Sequence, residues 1–147
     1  MEEHLGRLLS MTAKVARESF DAKLTAAGSS LNAYIILKHV DFYPGLSQRQ
    51  LAAILGIEGP TLTHHLDRLA ADGLLRRVPY PADRRAYCVE LTPEGKAHLD
   101  RITAFADQSD TEFRTLLTPR ELKTLVQLLN RIRDHFTKES DVHSAAG

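Results

Sequence analysis

Thr61, His64, Asp67 and Arg68 fall on one side of a helix drawn from Pro60 to Ala70, with Thr63 at its edge, while Leu62, Leu66 and Leu69 fall on the other. Short hydroxyls, an imidazole and a guanidinium on a helix pinned by leucines can hydrogen-bond base edges and phosphate oxygens in a major groove. A few residues later Arg76, Arg77, Arg84 and Arg85 stand against one acid, Asp83. An arginine on a narrow β-tip can enter the minor groove, where negative potential is focused. Asp83 is placed to hold the Arg85 guanidinium in a bidentate pair and aim it. The same residues also suit a solvated helix face and a hairpin with incidental arginines.

The chain as a whole does not advertise a polyanionic partner. Its 19 Lys and Arg balance 19 Asp and Glu, so the case rests on local charge. A hydrophobic content of 43% and a charged content of 26% are those of a globular protein, and 147 residues suffice for one domain with helical extensions. No apolar run approaches the roughly 20 residues of a membrane span, and the N-terminal stretch lacks the layout of a signal peptide. A cytoplasmic location with no membrane partner is expected. There is no Gly-rich phosphate loop, no G-x-S-x-G and no H-E-x-x-H, so neither catalysis nor a cofactor is expected. None of the seven histidines forms an i,i+4 pair with another histidine or with cysteine on one helix, so no metal site is expected. A single cysteine, Cys88, rules out an intramolecular disulfide.

These groups need elements to hold them. Leu5, Leu8, Leu9, Val15, Ala16, Phe20 and Leu24 have helical spacing over residues 1–27, and Gly28 supplies a stop. A second helix covers about 31–41 before Tyr43-Pro44-Gly45 breaks it. Ser47-Gln48-Arg49-Gln50 is a capping box opening a short helix that Gly56 closes, and the Pro60 helix follows, stopped by Gly73. Two short helices joined by a tight glycine turn make a helix-turn-helix. Residues 74–79 and 86–91 read as two strands around a basic turn at 80–85, which adds a β-wing. Thr92-Pro93-Glu94 and Thr118-Pro119-Arg120-Glu121 then open two further helices. The expected fold is mainly α with a small β-hairpin wing, a winged helix-turn-helix at 29–92. It is flanked by dimerisation helices at 1–28 and 93–138 and a flexible tail at 139–147. The flanking apolar stripes must be buried, and a two-fold homodimer covers all three helices at once; folding back as a monomer is the alternative.

The stretch LSQRQLAAILGIEGPTLTHHLDRLAADGLLRR, followed by PADRR and VELTPEGKAHL, resembles the MarR (multiple antibiotic resistance regulator) family of winged-helix regulators. The resemblance spans about Leu46 to Leu99 and rests on the combination of P-T-L-T, D-R-R and L-T-P-E-G. It implies a homodimer on a pseudo-palindromic operator in double-stranded DNA. Thr61, Thr63, His64 and Arg68 would lie in the major groove. Arg85 would enter the minor groove, braced by Asp83, with Arg84 on phosphate. Family members usually repress transcription, and often release DNA when a small aromatic acid, an oxidant or a metal binds.

The chain departs from the pattern in two places. Glu58 stands where members commonly carry a serine; it suits the helix dipole but repels DNA. His64 takes a place usually held by arginine and His65 one usually apolar, which points to weaker or pH-dependent binding, since imidazole titrates near neutrality. An effector pocket, if present, is expected where the dimer helices meet the winged helix, with Phe20, Tyr34, Lys38 and His39 as its candidate groups. Three alternatives stand beside the regulator reading. They are a winged helix used only for protein contacts, a metal-responsive regulator, and a redox switch at Cys88, which strand alternation places opposite Tyr87 and Val89. Thiol sensors of the family usually carry their cysteine in the first helix, where this chain has none.

Overall fold

The element order is α1 (Leu5–Ala26), α2 (Leu31–Phe42), α3 (Gln48–Leu55), α4 (Gly59–Ala71), β1 (Leu75–Tyr80), β2 (Asp83–Leu91), α5 (Pro93–Thr115) and α6 (Pro119–Ser144). This computed structural model describes residues 4–144, with side chains through 137, and divides into the units Met1–Asp107 and Gln108–Gly147. It is a winged helix-turn-helix with flanking helices.

In the first unit the starts of α2 and α3 are capped, at α3 as expected and at α2 by groups the sequence reading did not name as caps. Ser30 accepts from the Ala33 amide at 3.1 Å, and Asp21 accepts from the Leu31 amide at 2.8 Å, so two of the orphan donors of α2 are satisfied. Ser47 and Gln50 form the reciprocal capping box of α3. Gly56 closes α3 at φ 64°, a left-handed conformation that suits glycine. Leu24 of α1, Ile36 and Leu37 of α2, Leu51 of α3, Leu62 and Leu66 of α4 and Ile102 of α5 are fully enclosed in one core. Thus the C-terminal end of α1 belongs to the core of the winged helix, while Leu5, Leu8, Met11 and Val15 nearer its start stay exposed.

The wing meets α5 through backbone. The Thr92 amide donates to the Leu74 carbonyl at 3.1 Å, and Thr92 Oγ1 accepts from the Gly95 amide at 2.9 Å. A Cβ on Gly95 would lie far inside van der Waals contact distance of the Leu74 carbonyl oxygen, so only glycine lets α5 sit this close to the wing.

Further along α5, His98 accepts from Arg101 at 2.8 Å through Nδ1 and contacts Ser29 Oγ at 3.2 Å through Nε2. A guanidinium can only donate, so the imidazole is neutral with its proton on Nε2. Burial first, and the Arg101 charge second, lower the His98 pKa against a smaller pull from Asp72. Protonation therefore costs more in the folded state than in the unfolded one. The stabilisation is complete above about pH 6.5 and is lost as the pH falls towards the lowered folded value. Thermal melts of wild type and His98→Gln should diverge between pH 7.5 and 5.5, with wild type losing more; parallel curves would refute this.

The hairpin differs from its sequence reading. The strands reach Tyr80 and resume at Asp83, so the turn is only Pro81-Ala82. The register runs from Leu75 opposite Leu91 to Pro79 opposite Tyr87, then jumps to Tyr80 opposite Asp83. Arg84, Arg85 and Ala86 are thereby bulged out without cross-strand partners. Cys88 also departs from expectation. It is buried (3% exposed) beside Val89, because the connection before α3 covers that edge of β2: Ser47 bridges to Cys88, and the thiol lies 3.5 Å from the Gly45 carbonyl. A sealed thiol of this kind is not a ready redox sensor.

In the second unit Thr118 and Glu121 cap α6. Glu121 accepts from the Thr118 amide at 2.8 Å, which holds its carboxyl below the usual range. Leu125, Val126, Leu129 and Phe136 remain exposed along α6. The helix continues through Ser144, into the segment expected as a tail; residues 145–147 lie outside those described.

Candidate nucleic-acid interface

Leu62, Leu66 and Leu69 anchor α4, so Thr61, His64, Asp67 and Arg68 are exposed, and Thr63 is half-buried at the edge. The four arginines that follow do not form one strip. Strand alternation sends Arg76 and Arg77 to opposite faces. Arg76 pairs with Glu90 directly across the hairpin at 2.9 Å. Arg77 pairs with Asp67 of α4 at 2.8 Å and donates to Gln48 of α3 at 3.3 Å. Among the described residues Arg84 and Arg85 have no ion pair, and the wing's uncompensated positive charge sits on the bulge.

Asp83 does not pair with the Arg85 guanidinium as expected. Its Oδ1 accepts from the Arg85 backbone amide at 2.9 Å, satisfying an N–H that the bulge removed from the ladder. The carboxylate fixes the backbone that carries the guanidinium rather than the guanidinium itself.

Gln48, which the sequence reading placed only in a capping box, ties the site together with Arg77 and Asp67, whose pairing that reading missed. Gln48 Nε2 donates to Thr63 Oγ1 at 2.6 Å, so α3, α4 and β1 share one hydrogen-bond chain. Strand alternation separates Arg77 from Arg76, but nothing in the spacing points to Gln48.

Of the four residues named for an effector, three come together. The Phe20 and Tyr34 rings meet edge to face at 5.7 Å, and Lys38 donates to the Tyr34 hydroxyl at 2.9 Å, a bond that raises the lysine pKa against burial. His39 is not joined to them by a hydrogen bond; its Nδ1 lies 2.7 Å from the Ile35 carbonyl, and its ring is tilted against Tyr43 at 6.3 Å. A cavity of about 310 Å³ lies elsewhere, where Ser29, His65, Arg68, Asp72 and His98 converge.

Residues 27–86, which contain the helix-turn-helix, β1 and the bulge of the wing, match the MarR family profile. A Thauera aromatica protein named as a transcriptional regulatory protein for the hcr operon is 33% identical over 108 residues, 74% of this chain and 65% of that one. The winged helix-turn-helix of this chain is similar to that of the MarR family. This match thus spans just under two thirds of the Thauera protein's length. Among MarR-family structures, a cysteine-to-serine variant of E. coli MarR complexed with operator DNA is 26% identical, covers 87% of this chain and 92% of that one, and superposes with a TM-score of 0.81. CouR, a transcriptional repressor bound to a 23-mer DNA duplex, is 28% identical, with coverages of 88% and 92% and a TM-score of 0.83.

Against this similarity both departures lie at the surface. Glu58 is the N-cap of α4 but makes no side-chain cap bond, and it is exposed. His64 is exposed with its ring 5.9 Å from that of His65.

Proposed function

We propose that this chain is a sequence-specific, DNA-binding transcription regulator, a repressor that acts as a homodimer on a pseudo-palindromic operator. The observation that carries the reading is the sorting of charge. Arg76 and Arg77 are paired inside the winged helix, and Arg84 and Arg85 project from a bulge with no carboxylate partner. A neutral protein that leaves its wing cations unpaired beside a polar helix face is suited to a polyanion with grooves. The DNA-bound relatives support the choice of partner. The exposed apolar stripes, Leu5, Leu8, Met11 and Val15 on α1 and Leu125, Val126 and Leu129 on α6, support a second copy as their cover. Two-fold pairing then sets two recognition helices about one duplex turn, or ~34 Å, apart.

In this reading Thr61, Thr63, His64 and Arg68 face the major groove, Arg85 the minor groove and Arg84 phosphate, with Asp83 shaping the bulge. The Phe20, Tyr34 and Lys38 group suits a small aromatic effector. Such a ligand would release DNA by favouring a different spacing of the half-sites. The work of the protein is binding, carried out in the cytoplasm, with no catalytic step.

The test is binding of the purified protein to its own upstream DNA against random duplex across a salt series. Selective binding with a steep salt slope is expected. No selectivity at low salt would overturn the reading and favour a protein-contact module. His64→Arg should tighten operator binding by about tenfold, the lower part of the range for one cationic groove contact. Unchanged affinity would mean that His64 does not face the groove.

A further inference from the structure

We propose that Gln48 is a positioning residue which fixes the polarity of the Thr63 hydroxyl. The recognition helix then presents a hydrogen-bond donor at that point and reads an acceptor on DNA. The inference rests on the DNA-binding reading above and adds what one position of the helix recognises.

The argument follows the direction of each bond. Arg77 is anchored by Asp67 at 2.8 Å, and its Nε–H points at Gln48 Oε1, 3.3 Å away. A guanidinium has donors only, so it accepts nothing from the glutamine amide. Turning the Gln48 amide over would set its NH2 against the Arg77 N–H, which fixes the amide oxygen towards Arg77. Gln48 Nε2 is then the donor to Thr63 Oγ1 at 2.6 Å. The Thr63 oxygen is committed as an acceptor, and its own proton must point elsewhere.

In a helix a threonine hydroxyl commonly donates back to the carbonyl four residues earlier. Thr103 does so to Leu99 at 2.7 Å, Thr124 to Arg120 at 3.0 Å and Thr137 to Arg133 at 2.9 Å. Thr63 makes no such bond among the described residues. Its proton is available at the edge of the exposed face. In a major groove that proton fits guanine O6 or N7, adenine N7 or thymine O4, or else a phosphate oxygen. It does not fit the amino groups of cytosine or adenine, which are themselves donors.

Gln48→Glu reverses the polarity. A carboxylate has no proton to give, so Thr63 must donate inward, and only lone pairs face outward. The new carboxylate still accepts from Arg77, so the fold is retained. Its charge repels DNA whatever Thr63 does, and a double-mutant cycle with Thr63→Val separates the two effects. Operator affinity should fall at least fivefold more for Gln48→Glu in the Thr63 background than in the Thr63→Val background, the size of one net hydrogen bond. Equal losses in both backgrounds would overturn the proposal.

Thr63→Val in a site-selection experiment distinguishes the acceptors. Relaxed preference at one operator position indicates a base edge, and uniform weakening with a shallower salt slope indicates phosphate. Either result supports a donor at Thr63. Melts of the protein alone, in a Gln48→Leu and Thr63→Val cycle, read the network without DNA. Independent losses would overturn it even if DNA binding is intact. Coupled losses in a protein that selects no duplex would overturn the DNA reading, and the acceptor assignment with it, while leaving the network in place.

Discussion

Gly95→Ala is expected to lower the thermal midpoint by about 10 °C at fixed protein concentration. The added methyl meets the Leu74 carbonyl oxygen, which is backbone and cannot rotate away. Relief requires the first turn of α5 to lift from the start of the wing. That movement weakens the Thr92 amide bond to Leu74 at 3.1 Å and disturbs the Thr92 cap on Gly95. Overpacking with a backbone shift costs about 3 kcal/mol, and for a chain of this length each kcal/mol moves the midpoint by roughly 2–4 °C. Gly6→Ala is the control. It sits in α1 with nothing near the new methyl, so alanine there should be neutral or slightly stabilising. A Gly95→Ala protein melting within two or three degrees of wild type would mean that α5 and the wing tolerate separation.

The second large effect is on affinity. Arg84→Ala with Arg85→Ala should weaken operator binding on the order of a hundredfold near physiological salt and flatten the salt slope by about one or more, one unit for the phosphate contact of Arg84 and the rest for the groove charge of Arg85. Arg76→Ala should change affinity by less than about threefold, since that side chain is occupied with Glu90. The contrast tests the sorting of charge directly, because composition alone treats all four arginines as equals. Asp83→Asn adds a further arm. The asparagine oxygen can still accept the Arg85 amide, so binding should persist, whereas a guanidinium brace would lose its charge partner. Similar losses for Arg76→Ala and the double variant would refute the assignment.

Much of the architecture was legible because it is written in local chemistry. Ser47 with Gln50, Thr118 with Glu121, Gly56 and Gly73 announce helix ends through groups that satisfy or free the backbone within four residues. The leucine spacing of α4 likewise fixes which of its residues face outward. What the sequence hid depends on partners far along the chain. Arg77 meets Asp67 and Gln48 only once three elements are packed, so its removal from the basic strip could not be read from spacing. Alternation also misled at Cys88, because a pattern of period two assumes one open face. Here the connection before α3 closes the edge, and Cys88 and Val89 are buried in succession. The wing bulge was hidden for a related reason: Arg84 and Arg85 read as part of a turn and Ala86 as the start of a strand, yet the reversal needs only Pro81 and Ala82.

The enclosure of Cys88 has a practical consequence. The chain contains one sulfhydryl, and it is reached only when the seam between β2 and the connection at Gly45 parts. Labelling by an aromatic disulfide at saturating reagent would therefore proceed at the speed of that parting. Any ligand or duplex that tightens the base of the wing would lengthen the labelling half-life. The molecule thus carries its own stopwatch, placed where the helical and β parts of the reading head join.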